Sequence, residues 1–349
     1  MYAPFRRFPR GWCRPSAGLE ESHITTAVPF AQHKRAGDAR ADGPPQNAVE
    51  VAHLSKRYGD LLAVEDVSFT VAAGEIFGIL GPNGAGKTTT VECVQGLRGA
   101  DGGTIRVLGL DAQRDARALR QRIGSQLQAS ALPDRLKVWE ALDLFASMTL
   151  RGGDWRLLLE QWGLVEQRNV FFADLSGGAR QRLFVALALL GEPEVVFLDE
   201  LTQGLDPPRG RVAWGLIREI RARGTTVVLV THYMDEAEQL CDRLAIIDHG
   251  RIVATGTAQE LIARSQAAIR IRFTSDGAAD LQWLRDVAGV HAVIRHGPHV
   301  EVRGSGAVLA LVASALVDHG IVPADLRVEQ PSLEDAYMRL AHRHEVDGD

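Results

Sequence analysis

The sequence predicts an α/β fold with a mixed sheet, and three patterns carry that reading. Short, wholly apolar runs at Ile76–Leu80, Val195–Leu198 and Thr226–Val230 are each followed by a helical run, at Lys87–Leu97, Arg209–Arg223 and Met234–Cys241. Apolar strands bounded by helices imply a parallel sheet covered on both faces. Ahead of them, Val49, Val51 and Leu54, then Leu62–Val64 and Val67–Val71, alternate in the manner of an antiparallel β segment. Between about Leu132 and Asp174, Leu, Trp and Phe recur at helical spacing, which predicts a helical insertion.

The flanks have a different character. Residues 1–47 mix Arg, Pro, Gly and Ala without an apolar period and end in GPPQN, which predicts a disordered tail. From residue 265 the pattern changes again. Ile269–Phe273 alternates, Ala278–Val287 reads as helical, and Val290–Ile294 with His299–Val302 reads as a hairpin around Gly297-Pro298. Ala307–Asp318 is helical, Leu326–Val328 strand-like, and Pro331 opens a last helix over Ser332–Ala341. The expected organisation is therefore a tail (1–47), a body (48–264, insertion at about 132–174) and a small C-terminal α/β domain (265–349). That last domain has no cluster of chemical residues, so contact is its expected work. Leu333, Ala336, Tyr337 and Leu340 recur at helical spacing and need a surface. Either the body of the same chain or a partner would supply it; the favoured reading is that the domain holds two subunits together.

Composition narrows the function. The chain has 349 residues and a net charge of −5, which gives no support for a nucleic-acid binder. Its three cysteines, Cys13, Cys93 and Cys241, are scattered, as expected in a reducing compartment. No stretch approaches the roughly 20 apolar residues that span a bilayer. The arginine-bearing start is followed by no apolar run, so no secretory signal is expected.

The chemistry lies in the body. Gly81, Pro82, Asn83, Gly84, Ala85, Gly86, Lys87 and Thr88 fit GxxxxGK[ST], with Thr89 following. This Walker A loop stands between a strand and a helix, the context its chemistry requires. Its glycines let backbone N–H groups converge on phosphate oxygens, and the helix N-terminus adds positive potential. Lys87 would reach the β- and γ-phosphates and Thr88 would hold Mg²⁺. A buried strand ending in Asp199-Glu200 follows about a hundred residues later. In this Walker B element, Asp199 would bind the metal and Glu200 would activate the attacking water. Between the two lies Leu175-Ser-Gly-Gly-Ala-Arg-Gln181, at the start of a predicted helix. Ser176, Gly177 and Gly178 offer a hydroxyl and bare N–H groups suited to a γ-phosphate. A simple N-cap is the plainer reading of Ser176 alone.

Together these motifs resemble the ATP-binding subunits of ABC transporters, with Leu175 to Gln181 matching the LSGGQ-like signature. The resemblance spans about Val49 to Leu261 and implies a P-loop NTPase core of ABC type. It also implies further roles. Tyr58 would stack on adenine. Gln128, with Gln126 a nearby competitor, would be the Q-loop glutamine touching Mg²⁺ and water. Asp206 would lie in the D-loop, and His232 would contact the γ-phosphate. The segments His232–Arg243 and Ile246–Val253, with Pro331-Ser-Leu-Glu-Asp335, resemble the drug-export, daunorubicin-resistance-like subfamily. Three features depart from it: Leu201 replaces the usual Pro, Gln203 the usual Asn, and the insertion is short around Arg151–Asp154. Neither substitution touches the phosphate chemistry, so activity should survive them.

The resemblance implies a head-to-tail pair of subunits with ATP between the Walker A of one and the signature of the other. It implies ATP and Mg²⁺ as ligands, a separate transmembrane permease as partner, and a place on the cytoplasmic face of the membrane. No nucleic acid is expected. Two rivals are an ABC ATPase of translation or DNA maintenance and the ATPase of an importer. The single cassette without heptad runs disfavours the former, and Pro331–Asp335 disfavours the latter.

Overall fold

The structure, a computed structural model, describes residues 47–126, 131–150, 153–202, 207–275 and 280–346. The expected tail, Gln128, Gln203, Asp206 and part of the short insertion fall outside them. All described residues belong to one unit, Pro44–Asp349.

Strands β1 (Asn47–Tyr58) and β2 (Leu61–Ala72) form the expected antiparallel pair. Then come β3 (Ile76–Leu80) and α1 (Lys87–Val94). Strands β4 (Gly102–Val107) and β5 (Leu110–Asp111), helix α2 (Ala116–Leu119) and β6 (Ile123–Gln126) follow. None of these four is evident from apolar pattern. β4 opens on two glycines, and β6 carries a single large apolar residue, Ile123, so pairing rather than composition defines them.

The segment expected to be helical throughout is broken. It contains α3 (Val138–Met148), α4 (Trp155–Gln161) and a 3₁₀ turn at Phe172–Asp174. Gly163, at φ 59°, follows α4 in the left-handed conformation that ends helices. Next are α5 (Gly177–Leu189), β7 (Val195–Asp199), α6 (Pro207–Ala222), β8 (Thr226–Thr231) and α7 (Met234–Leu240). β9 (Arg243–Asp248), β10 (Arg251–Gly256) and α8 (Ala258–Ser265) complete the body.

One sheet of ten strands runs β5-β4-β1-β2-β10-β9-β3-β8-β7-β6. β9, β3, β8, β7 and β6 pair in parallel, as the apolar runs predict. Each fully buried strand feeds two cores by its two-residue period: Val195 and Phe197 join one, Val196 and Leu198 the other. That division is why these strands read as continuous apolar runs.

The C-terminal residues form a second sheet from β11 (Ile269–Thr274), β12 (Val290–His296), β13 (His299–Gly304) and β14 (Arg327–Glu329), in the order β12-β13-β11-β14. The expected hairpin turns between β12 and β13. Helix α9 (Val308–Asp318) and a 3₁₀ turn at Gln282–Asp286 cover one face, through Val308, Val312, Leu316, Leu281 and Leu284. The turn stands where an α-helix was expected. Its buried pair, Leu281 and Leu284, is three residues apart, a spacing that suits either helix type.

Helix α10 (Leu333–Val346) starts on a capping box: the Asp335 N–H donates to Ser332 Oγ at 3.2 Å, and the Ser332 N–H donates to Asp335 Oδ2 at 3.1 Å. Its apolar stripe is covered by the body of the same chain. Leu333, fully buried, with Tyr337 and Leu340, packs in one cluster with Leu80, Ala237, Leu244, Ile246 and Leu261. Of the two surfaces expected for this stripe, the body of the same chain is the one it packs against.

Candidate functional site

The site gathers at the C-terminal ends of parallel strands β3, β6, β7 and β8, where open α/β sheets place their ligands. β3 runs straight into the glycine-rich loop. Gly86 ends that loop at φ 94°, and a Cβ there would lie 2.3 Å from the Ala63 carbonyl oxygen, so only glycine fits. Lys87 opens α1 and is nearly fully buried. Its ammonium donates to the carbonyls of Gly81 and Pro82, both at 2.9 Å, and so folds back over the loop. Burial lowers its pKa, while the carboxylates of Glu200 and Asp199 act to raise it.

Asp199 ends β7, only 4 % exposed. Burial, then the neighbouring charge of Glu200, pushes its carboxyl up to about 6, against the opposing effects of Lys87 and a Thr88 hydrogen bond. Its backbone N–H donates to Gln126 Oε1 at 3.2 Å, joining β6 to β7 at the site. Gln126, buried at the end of β6, is thus part of the local frame. Gln128, the residue expected to reach the nucleotide, lies outside the described residues, as does Asp206.

Glu200 takes a left-handed backbone at φ 51°, uncommon for a residue with a side chain. Its N–H donates to the Val230 carbonyl at 2.9 Å, and its own carbonyl accepts from Gln181 Nε2 at 3.0 Å. The carboxylate Oε1 lies 3.0 Å from His232 Nδ1, at the exit of β8. Lys87, Thr88, Asp199, Glu200 and His232 thus converge from three strands.

The signature segment reaches the same place through Gln181. Ser176 caps α5, with its Oγ accepting from the Ala179 N–H at 3.3 Å, and it is exposed together with Gly177. Gly178 is buried. Tyr58 ends β1 at 38 % exposure, its ring flanked by Arg98 (5.3 Å) and Lys56 (5.6 Å). Sequence reasoning passed over Glu236, a buried carboxyl on α7. The only signal was its place four residues after His232, which by itself marks an ordinary helix acid.

The donors near Lys87 suit a divalent cation. Thr88 at the start of α1 and Asp199 at the end of β7 are hard oxygen ligands of the kind such an ion takes. Among the described residues no group of three His, Cys, Asp or Glu could hold a metal, so any ion here would depend on hydroxyl, water or substrate oxygens as well. No helix among the described residues is long and apolar enough to cross a membrane.

A phosphate loop between a central parallel strand and a helix, with an acidic strand end beside it, defines a P-loop nucleotide hydrolase. The family profile described as "ABC transporter" matches residues 64–203. The chain is 37 % identical over 302 residues to the daunorubicin resistance ATP-binding protein DrrA3 of Streptomyces coeruleorubidus, covering 84 % of this chain and 95 % of that protein. It is 36 % identical over 325 residues to the Nod factor export ATP-binding protein I of Sinorhizobium fredii, covering 90 % and 92 %. A solved structure of an ATP-binding subunit of an ABC transporter superposes with a TM-score of 0.58 at 30 % identity, over 62 % of this chain and 92 % of that one. A dimeric post-hydrolysis cassette bound to ADP and phosphate superposes at 0.56 and 25 % identity, over 60 % and 98 %. This chain belongs to the ABC transporter ATP-binding proteins and is an ATPase subunit of that family.

Proposed function

We propose that this chain powers an exporter of drugs or other hydrophobic or polymeric compounds. It does so as one half of a head-to-tail pair bound to a separate membrane permease on the cytoplasmic face. Relatives named for daunorubicin resistance and Nod factor export support the direction. A solved dimeric cassette supports the pairing. Within the chain, 48–264 would be the ATPase body, with its helical insertion facing the permease, and 265–349 an accessory domain.

The contact of Glu200 Oε1 with His232 Nδ1 carries the mechanistic reading. Tyr58 would stack on adenine, and the N–H groups from Gly81 to Thr89 would cradle the phosphates. Lys87 would leave the Gly81 and Pro82 carbonyls to meet the β- and γ-phosphates. Thr88 and Asp199, with Gln128, would hold Mg²⁺, which would supply positive charge beside the phosphates. Glu200 would accept a proton from the attacking water, and His232 would orient Glu200 and contact the γ-phosphate. Ser176, Gly177 and Gly178 would donate to the γ-phosphate held by the opposite subunit, with Gln181 fixing their helix against Glu200. Asp206 would face that subunit.

Replacing Glu200 with Gln keeps the shape and removes the base. Turnover should fall by at least about a hundredfold while ATP still binds and ATP-bound dimers accumulate. Steady-state phosphate release near the wild-type rate would assign water activation to another group.

A further inference from the structure

The end of β7 is held differently on its two sides. Toward β8 the register continues to Asp199, which lies opposite Val230. The next N–H, that of Glu200, donates to the Val230 carbonyl at 2.9 Å. Toward β6 the register among the described residues ends one position earlier, with Gln126 opposite Leu198. The Asp199 N–H is met there by a side chain that reaches ahead: it donates to Gln126 Oε1 at 3.2 Å.

Both residues are buried, Gln126 at 6 % exposure and Asp199 at 4 %. A buried amide side chain costs free energy unless its polar atoms are satisfied. A leucine at 126 would avoid that cost, but it would leave the Asp199 N–H enclosed without this acceptor. The position therefore needs an acceptor about as far from its backbone as a glutamine carbonyl. Asp199 is also where the chain leaves regular β geometry, because Glu200 follows at φ 51°. Without the bond from Gln126, the strand end that carries the Asp199 carboxyl would be braced from β8 alone.

We propose that Gln126 is a positioning residue for the divalent cation of the nucleotide complex: by accepting from the Asp199 N–H it fixes the strand end that aims the Asp199 carboxyl, without touching ion or nucleotide itself. This rests on the role proposed above for Asp199, and it gives Gln126 a task separate from that proposed for Gln128. Partners that orient a metal ligand set metal affinity, so the loss belongs in ion binding rather than in binding of the nucleotide alone.

The test titrates Mn²⁺ into the full chain, in excess over a non-hydrolysable ATP analogue, and follows free Mn²⁺ by paramagnetic resonance. Analogue affinity is measured separately in a chelator. Gln126→Leu should weaken Mn²⁺ binding by about tenfold and leave metal-free analogue affinity within about twofold of wild type. Gln126→Glu, which keeps an acceptor at the same reach, should stay within about threefold of wild type for Mn²⁺. Gln126→Asn, one methylene too short, should fall with the Leu variant. Unchanged Mn²⁺ affinity in Gln126→Leu would overturn the proposal, as would equal losses in the Leu and Glu variants. A metal-free analogue affinity that drops as far as the Mn²⁺ affinity would do the same, since it would mark general loosening. Should Gln126→Leu not fold, Gln126→Asn decides, because wild-type Mn²⁺ binding there removes the link. Asp199→Asn separates the two readings. Wild-type Mn²⁺ binding in that variant defeats the assignment of Asp199, whereas lost binding there beside an intact Gln126→Leu defeats only the positioning role.

Discussion

Asp199 shows how a site residue is tuned by its place rather than its type. A strand with all five residues buried delivers its carboxyl into the protein, beside the second acid Glu200. Its folded pKa, about 6, lies above the ordinary carboxylate value of 3.8. A raised pKa means that the folded state favours the proton: the stabilisation is fully present below about pH 4 and is lost as pH rises through about 6. Asn at this position has no such dependence. Without nucleotide or metal, Asp199→Asn should therefore gain stability over wild type between about pH 4 and pH 7.5, by roughly 2 kcal/mol. Denaturant midpoints at the two pH values check this, and a constant difference would show that Asp199 stays ionised. The residue types of this site were legible because each motif carries its own spacing. Their mutual contacts were not: nothing in the chain order announces that Gln181 bonds the Glu200 carbonyl or that Gln126 meets the Asp199 N–H. Glu236 was invisible for a related reason. An acid in the first turn of a helix suits the helix dipole whether it points outward or inward, and only packing decides.

At the scale of elements, α5 joins two functions. Its N-terminus presents exposed Ser176 and Gly177, while Gln181, one turn along, is fastened to Glu200. Ser176→Arg places bulk and charge on the presented end and leaves the Walker A loop untouched. ATP binding by single subunits should stay within about threefold of wild type, whereas hydrolysis and ATP-driven pairing should be lost if the proposed γ-phosphate donor is replaced by an obstruction. Calorimetric titration beside sedimentation separates the two effects; lost binding by the monomer would refute a shared site. Elements with a strong period were legible in the chain, namely β3, β7, β8 and the helices behind them. β4, β5 and β6 were not, because short strands containing glycine or polar residues exist only through their neighbours. The insertion misled for the opposite reason. Its apolar spacing is helical, yet turns interrupt it, and part of its apolar surface, including Leu144, Met148 and Leu157, stays exposed.

At the scale of the molecule, the second sheet has its own core, but α10 returns to the body and packs beneath it. Leu333 meets the cluster containing Leu80, the residue directly before the phosphate loop, and Ala237, on the helix after His232. Leu333→Ala should cost about 3 kcal/mol of stability, as for other fully buried leucines. Chemical unfolding of the full chain measures this, and a loss below about 1 kcal/mol would mean that α10 is only loosely seated. Deleting everything after Arg264 should be more damaging, since Leu80, Leu244, Ile246 and Leu261 lose their cover together. The composition shift near Ser265 was visible in the sequence. That its final helix doubles back across the shift was not, because amphipathicity reveals a need for cover without naming the donor.

The seat of α10 also bears on how such chains can be recombined. A boundary drawn at the composition shift suggests two interchangeable parts, yet the body on its own side of that line has an unfinished wall. Grafting 48–264 onto a foreign tail would carry a bare apolar seam into the hybrid. Exchange between relatives should succeed only when the matching faces of α7 and α8 travel with the helix that closes them. The smallest unit that can be inherited intact is then the sheet together with its distant C-terminal helix.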